Sequence, residues 1–133
     1  MSRTKRKKLI QDIEKQRGSK IVAIVTSDRP NLHNPIEADI VSILHDHILA
    51  MDSREKMKLD LFIYSRGGDS DVPWTIVSML REYCREGSLG SLIPYRAHSA
   101  ATLIALGCDQ FMAALPSAGF ERIEYDRSWH TKE

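Results

Sequence analysis

Two short segments of this sequence contain residue types that could do chemistry together. One is the pair Gly67–Gly68, which directly follows an apolar stretch, and the other is Ser99, which follows a later one. Paired glycines allow backbone torsions barred to other residues and let a ligand approach closely. Their N–H groups can stabilise a developing negative charge, while a serine hydroxyl becomes a nucleophile once a base takes its proton. Together they favour acyl-transfer chemistry.

Each segment also has a simpler interpretation when it is taken alone. A glycine pair is common in an ordinary strand-to-helix turn, and Ser99 could be an N-cap, because serine is a preferred capping residue. The small residues Ala97, Ala100 and Ala101 around the serine would let a substrate backbone come close. The N–H of Ala100 would then be a second donor to an oxyanion.

The elements that would position these segments alternate between strand and helix patterns. Near-continuous β-branched or apolar runs predict buried parallel strands, and apolar residues at helical spacing predict the helices between them. The predicted strands are Lys20–Thr26, Leu59–Ser65, Ser91–Ala97 and Gln110–Ala114, and the predicted helices are Lys5–Arg17, Ile36–Ile48, Val72–Glu86 and Ala100–Leu106.

This alternation predicts an α/β fold with a mainly parallel sheet. Loops at the carboxyl edge of such a sheet are the usual place for chemistry, and both Gly67–Gly68 and Ser99 fall in such loops. We expect a basic N-terminal helix over residues 1–18, an α/β core with the Ser99 site over 19–115, and a polar tail over 116–133. Polar termini of this kind are commonly disordered.

The stretch Leu61–Asp109 resembles the Clp-protease/crotonase superfamily, in which a Gly-Gly turn and a later serine form one site. The closer likeness is to the serine dehydrogenase proteinase family, relatives of signal peptide peptidase A. It is carried by Lys15–Val22, by Asn34–Ile40 and, most specifically, by the run Ser99–Asp109. The resemblance covers roughly residues 5 to 111 and implies the first part of a fold of repeated β-α units. After about Phe111 the chain is truncated or divergent.

The resemblance implies a serine endopeptidase that uses no cofactor and acts on peptides or proteins. Ser99 would be the nucleophile, and the N–H groups of Gly68 and Ala100 would hold the oxyanion. The flanking residues Gly67, Asp69 and His98 would contact the substrate. Because Clp-type proteins commonly assemble into rings or stacks, the resemblance also implies a homo-oligomer.

The general base is the part that the sequence does not identify. Clp-type enzymes take it from a later histidine, and His130 is the one histidine after Ser99, whereas signal-peptide-peptidase relatives use a lysine. His98 adjoins the serine, but neighbouring residues rarely turn their side chains toward each other. An alternative is a catalytically incomplete fragment or pseudo-enzyme that acts as a binding or assembly module. A third option, an acyl-CoA hydratase-like enzyme, would need an acidic pair near the glycines, for which Asp69 and Asp71 are a weak hint.

Composition excludes several other classes of protein. A chain of 133 residues supports one small domain, and a net charge of +1 argues against a nucleic-acid binder. The basic cluster Lys5–Lys8 could bind an anionic membrane surface weakly or simply be solvated; no long apolar run follows it, which favours a cytoplasmic protein. Cys84 and Cys108 are expected to be buried free thiols.

Two further groups resemble metal ligands but have simpler interpretations. His45 and His47 are two positions apart on a predicted helix, so they face different directions. The acidic residues before the predicted helix at Val72 are typical of helix capping. We therefore expect no metal site.

Overall fold

The computed structural model describes residues 1–27, 29–51, 55–114 and 122–126. The helices are α1 (Arg3–Arg17), α2 (Asp39–Leu49), α3 (Val72–Tyr83) and α4 (Ala100–Gly107). The strands are β1 (Lys20–Val25), β2 (Met57–Tyr64), β3 (Cys84–Ile93), β4 (Gln110–Ala114) and β5 (Arg122–Asp126).

These strands form a sheet in the order β1-β2-β3-β4-β5, in which every strand pairs with the next one along the chain. Strands β1 to β4 run parallel, and β5 pairs antiparallel with β4. Helices connect the parallel strands, as the reach of a parallel crossover requires. The predicted α/β fold with a mainly parallel sheet is therefore confirmed.

A single apolar core lies between the sheet and the helices α2 to α4. Strand β2 contributes Leu59, Leu61 and Ile63, which alternate along the strand and so point to one face of the sheet. The core side chains from the helices include Leu44, Ile48, Ile76, Leu80, Ile104 and Ala105. This packing fixes the carboxyl ends of β2 and β3 next to the start of α4.

Helix α1 is attached to the sheet through polar side chains of its last turn rather than through an apolar face. None of its residues is buried, and Gly18 ends it in the left-handed conformation with φ 61°. The guanidinium of Arg17 donates to the buried carboxylate of Asp60 in β2, with Nε 2.5 Å from Oδ2 and Nη2 3.1 Å from Oδ1. Ser19 Oγ lies 2.6 Å from the same Oδ2.

The structure differs from the predicted elements at β3, which begins at Cys84 and ends at Ile93 rather than spanning Ser91–Ala97. Helix α3 accordingly stops at Tyr83 and does not continue to Glu86. Residues 85–87 have no apolar periodicity, and they lie in an irregular stretch between the pairing of Cys84 with Met57 and that of Leu89 with Leu59 of β2. Tertiary pairing of this kind commonly overrides local propensity.

Strand β5 is a second difference, because residues 122–126 were assigned to a polar tail. The run Arg-Ile-Glu-Tyr-Asp alternates charged and apolar residues, a period typical of a strand. Five residues are too few for that pattern to predict a strand without a partner. The partner is β4, which aligns Phe111 with Tyr125.

Within the described residues, both membrane-spanning helices and clusters of metal ligands are absent. No helix in these ranges is both long and apolar enough to cross a membrane. Within the same ranges, no three His, Cys, Asp or Glu side chains are grouped so that they could hold a metal ion.

Candidate active site

The two segments singled out in the sequence lie side by side at the carboxyl edge of the sheet. Beyond the ends of β2 and β3, Ser65 and Ala97 form a parallel bridge. The N–H of Ser65 donates to the carbonyl of Arg96 at 3.2 Å, and the N–H of His98 donates to the carbonyl of Ser65 at 3.1 Å. These bonds carry the parallel register past the strands and bring Gly67 to Ser99.

Gly67 touches the backbone around Ser99 so closely that no other residue fits. A Cβ atom placed on it would lie 2.5 Å from the carbonyl oxygen of His98 and 2.6 Å from Cβ of Ser99. It would also lie 3.1 Å from the nitrogen of Ala100. Its φ of 105° is a backbone conformation that residues with side chains rarely adopt. Both requirements explain why a glycine stands at this position.

The N–H of Gly68 points away from Ile36, the residue with which Gly68 forms a parallel bridge. The N–H of Ile36 donates to the carbonyl of Gly67 at 2.9 Å, and the N–H of Asp69 donates to the carbonyl of Ile36 at 2.8 Å. In such a parallel bridge, the residue between the two bonded ones directs its own N–H to the opposite side. In the described ranges, no backbone hydrogen bond uses the N–H of Gly68.

Ser65 stabilises the glycine turn through hydrogen bonds, and the sequence pattern does not predict this role. Its buried Oγ accepts hydrogen bonds from the hydroxyl of Thr26 at 2.9 Å and from the N–H of Gly67 at 3.0 Å. The one available signal is a polar residue that ends an otherwise apolar strand. Such a residue does not disclose its partners.

Ser99 has a strained backbone, with φ 54° and ψ −123°. A non-glycine residue held in such a region costs about 1–3 kcal/mol and persists where the surrounding structure imposes it. Here Thr102 Oγ1 lies 2.5 Å from the carbonyl of Ala97, and the N–H of Ala101 donates to the carbonyl of His98 at 3.0 Å. Strained turns that raise a serine between a strand and a helix are typical of nucleophiles.

The simpler interpretation of Ser99 as a helix cap is not what the structure shows. Ser99 occupies the N-cap position of α4, but its side chain makes no capping hydrogen bond and is exposed. A serine selected for capping would accept a hydrogen bond from the first turn of the helix. The hydroxyl is instead available to a ligand.

Ala100 offers a second N–H beside the serine. It is the first residue of α4, where the positive end of the helix dipole favours negative charge. Among the described residues, no backbone hydrogen bond uses its N–H. The two N–H groups predicted to hold an oxyanion, those of Gly68 and Ala100, are therefore both unused by backbone hydrogen bonds in the described part of the chain.

The remaining predicted site residues lie near this turn without completing it. In the described part of the chain, no titratable side chain hydrogen-bonds to the Ser99 hydroxyl. His98 is exposed beside it. Asp69 Oδ1 accepts the N–H of Asp71 at 2.9 Å, which agrees with the predicted helix-start role of this loop. His130 lies outside the described residues.

The other histidines and the cysteines do not compete with Ser99 as functional groups. His45 Nε2 lies 2.7 Å from the hydroxyl of Tyr83, so it has a packing role. The predicted burial of both free cysteines is confirmed. Burial raises the pKa of Cys84 to about 11 and that of Cys108 to about 12. A reactive thiol has a lowered pKa, so neither is a nucleophile.

A cavity of about 200 Å³ lies on the other side of the glycine turn. It is lined by the loop after β1 and by the turn itself: Thr26, Ser27, Arg29, Leu32, His33, Asn34, Pro35, Arg66, Gly67 and Gly68. The glycine turn is therefore a wall shared by this cavity and the surroundings of Ser99.

Comparison of the chain with protein-family models, with curated proteins and with solved structures found no match. The family resemblance given above stays a prediction. Support for a function comes from the conformation of Ser99 and from its contact with Gly67.

Proposed function

We propose that this chain is a serine peptidase of the Clp-protease/crotonase type, with its nearest affinity to the serine dehydrogenase proteinase family. The observation that carries the proposal is the conformation of Ser99. Its backbone is strained, its hydroxyl caps nothing, and Gly67 lies in contact with it. A purely structural turn has no need of that combination, since a glycine at this position would relieve the strain.

In the proposed reaction, Ser99 Oγ attacks the carbonyl carbon of a peptide bond while a base takes the hydroxyl proton. The N–H groups of Gly68 and Ala100 donate to the oxyanion of the tetrahedral intermediate. The C–N bond then breaks, the amine leaves with the proton from the base, and an acyl-enzyme ester remains. Water adds to this ester by the same route in reverse and releases the acid. His130 stays the predicted base.

One observation favours a second candidate, a catalytically incomplete domain that acts as a binding or assembly module. The described residues contain no base in hydrogen-bonding contact with the Ser99 hydroxyl. An acyl-CoA hydratase-like activity is less well supported, because Asp69 is engaged with the backbone of its own loop.

Self-association, a cytoplasmic location and weak attraction of the basic α1 helix to anionic membranes belong to the same proposal. Self-association is supported by large apolar side chains exposed on neighbouring helices, with Trp74 of α3 79% exposed and Leu103 and Leu106 of α4 about half exposed. Apolar groups of this size on adjacent elements commonly mark interaction surfaces.

The test is labelling of the purified protein with a fluorophosphonate, which phosphonylates activated serines, read by intact mass. We expect one adduct in the wild type, none in Ser99→Ala, and an unchanged adduct in Ser70→Ala, whose serine is exposed in the loop after the glycine turn. Folded protein without an adduct would refute the peptidase and support the incomplete module.

A further inference from the structure

The cavity beside the glycine turn is lined by positively charged side chains. Arg29 and Arg66 both line it, and His33 stands in the same loop. None of the described lining residues has a carboxylate. Arginine presents a planar fork of donors that matches a carboxylate and keeps its charge at all relevant pH values. The cavity is therefore suited to an anionic group.

The loop that carries Arg29 is fixed at both ends by hydrogen bonds. The N–H of Thr26 donates to the carbonyl of Tyr64 at 2.9 Å, and the N–H of Arg29 donates to Ser27 Oγ at 3.1 Å. The N–H of Leu32 then donates to the carbonyl of Arg29 at 3.2 Å. Arg29 therefore takes part in two local backbone hydrogen bonds beside the cavity that it lines.

The cavity adjoins the proposed reaction centre at Gly67. Gly67 contacts Ser99 and also lines the cavity. Neither glycine has a side chain. If the N–H of Gly68 binds the scissile carbonyl of a peptide, a neighbouring side chain of that peptide could therefore extend across the turn into the cavity. Leu32 and Pro35 supply apolar walls for its stem, and the arginines supply charge at the rim.

We propose that this cavity is a subsite for a carboxylate, so that the preferred substrates are acidic peptides. The inference rests on the proposed function for the identity of the substrate as a peptide. The carboxylate could come from an Asp or Glu side chain beside the scissile bond or from the free C-terminus of a short peptide.

The experiment measures binding rather than turnover, in the Ser99→Ala variant. Three hexapeptides differ only at the central residue and at the C-terminus, and all carry the same cationic fluorophore. Fluorescence anisotropy gives their Kd values. The first has a central Glu and an amidated C-terminus, the second has Gln in its place and the amide, and the third has Gln and a free C-terminus. Arg29→Gln is compared with Arg85→Gln, an equal change of charge at an exposed position in β3.

We expect the first or third peptide to bind about fivefold more tightly than the second, since an exposed charge pair contributes up to about 1 kcal/mol. The peptide that shows the preference identifies the source of the carboxylate. Arg29→Gln should abolish the preference and Arg85→Gln should keep it. Equal binding of all three peptides, no binding at all, or equal losses in both variants would overturn the subsite.

Failure of the subsite and failure of the peptidase are distinguishable. Fluorophosphonate labelling of Ser99 without any carboxylate preference sinks only the subsite. A carboxylate preference that depends on Arg29, found in a protein that no fluorophosphonate labels, sustains the subsite in a domain that binds acidic peptides without cleaving them.

Discussion

The surroundings of Asp60 and those of Ser99 are both polar, and both involve a close approach by a glycine, but they differ in how their hydrogen bonds are used. Asp60 is fully buried, and its carboxylate accepts from the Arg17 guanidinium and from Ser19. The neighbouring strand contributes Gly90, where any Cβ would collide with Asp60 Oδ1. Both carboxylate oxygens of Asp60 therefore accept hydrogen bonds from other side chains of the protein.

At the carboxyl edge of the sheet the opposite holds. Ser99 is exposed, its hydroxyl makes no capping bond, and the N–H groups of Gly68 and Ala100 are used by no backbone bond among the described residues. Native proteins leave few polar groups unpaired, and exceptions often mark functional sites. A polar cluster whose hydrogen bonds are all made within the protein therefore indicates a structural role, whereas a strained cluster with unused hydrogen-bonding groups indicates a ligand site.

The sharpest test of this contrast is Ser99→Gly, which should separate function from stability. Loss of a nucleophile should lower the rate of fluorophosphonate labelling or of peptide cleavage by about 10³-fold or more. Glycine accepts φ 54° without strain, so the free energy of unfolding should rise by about 1 kcal/mol. Labelling kinetics and urea denaturation measure the two effects. A fall in both quantities would make Ser99 a structural residue.

At the other cluster, Asp60→Ala should destabilise the fold without a specific role in chemistry. Removing one partner of a buried ion pair costs about 3–5 kcal/mol, because the remaining charge is left without its partner. The control is Asp46→Ala at an exposed position of α2, which should change the free energy of unfolding by less than about 0.5 kcal/mol. Urea denaturation compares them. Equal stability in both variants would contradict the structural role of the Arg17–Asp60 pair.

Gly67 and Gly87 both have positive φ, but only Gly67 is closely packed, so alanine variants distinguish the cost of close packing from the cost of the backbone conformation. Gly67→Ala places a Cβ against the His98 carbonyl and Ser99, so it should cost more than about 2 kcal/mol and abolish labelling of Ser99. Gly87→Ala has a similar backbone penalty, with φ 70°, but nothing within 4 Å of the added carbon. It should cost about 1 kcal/mol and leave labelling intact. If the two variants behaved alike, close packing at Gly67 would not matter.

The cysteines belong with the buried cluster rather than with the reactive edge, and their effect should be confined to alkaline pH. Their folded pKa values of about 11 and about 12 lie above the ordinary value of 9.0. Because the unfolded thiols ionise first, this contribution to stability is full below pH 9 and is lost as the pH rises toward 11 and 12. Urea denaturation between pH 8 and 11 should show a shallower decline in Cys108→Ala than in wild type. An equal decline would contradict the assignment.

The sequence predicts the parts of this architecture that depend on periodicity. Strand β1 and helix α4 follow from an unbroken apolar or small-residue run and were placed to within a residue or two. The start of β3 was wrong because Arg85 and Glu86 have no apolar pattern and lie in a register shift, between the residues of β3 that pair with β2. The alternation of parallel strands was enough to put Gly67 and Ser99 at one edge.

Other parts of the site depend on contacts that no local pattern contains. Ser65 and Asp60 interrupt or end an apolar strand, and a polar residue in that position does not reveal whether it bonds to a turn or to a distant helix. The backbone torsions of Ser99 are likewise imposed by its neighbours, through Thr102 and the His98 carbonyl. Such tertiary constraints become visible only once the strands are assembled.

The strand order has a consequence for how the chain acquires its structure. Each parallel strand pairs with the one made just before it, so the loops that must close are short compared with those of interleaved sheets, and short loops favour fast folding. During synthesis from the N-terminus, the sheet can grow by one strand and helix at a time. Gly67 and Ser99 need only β2, β3 and α4 to meet. We expect the reactive edge to assemble without any contribution from β5.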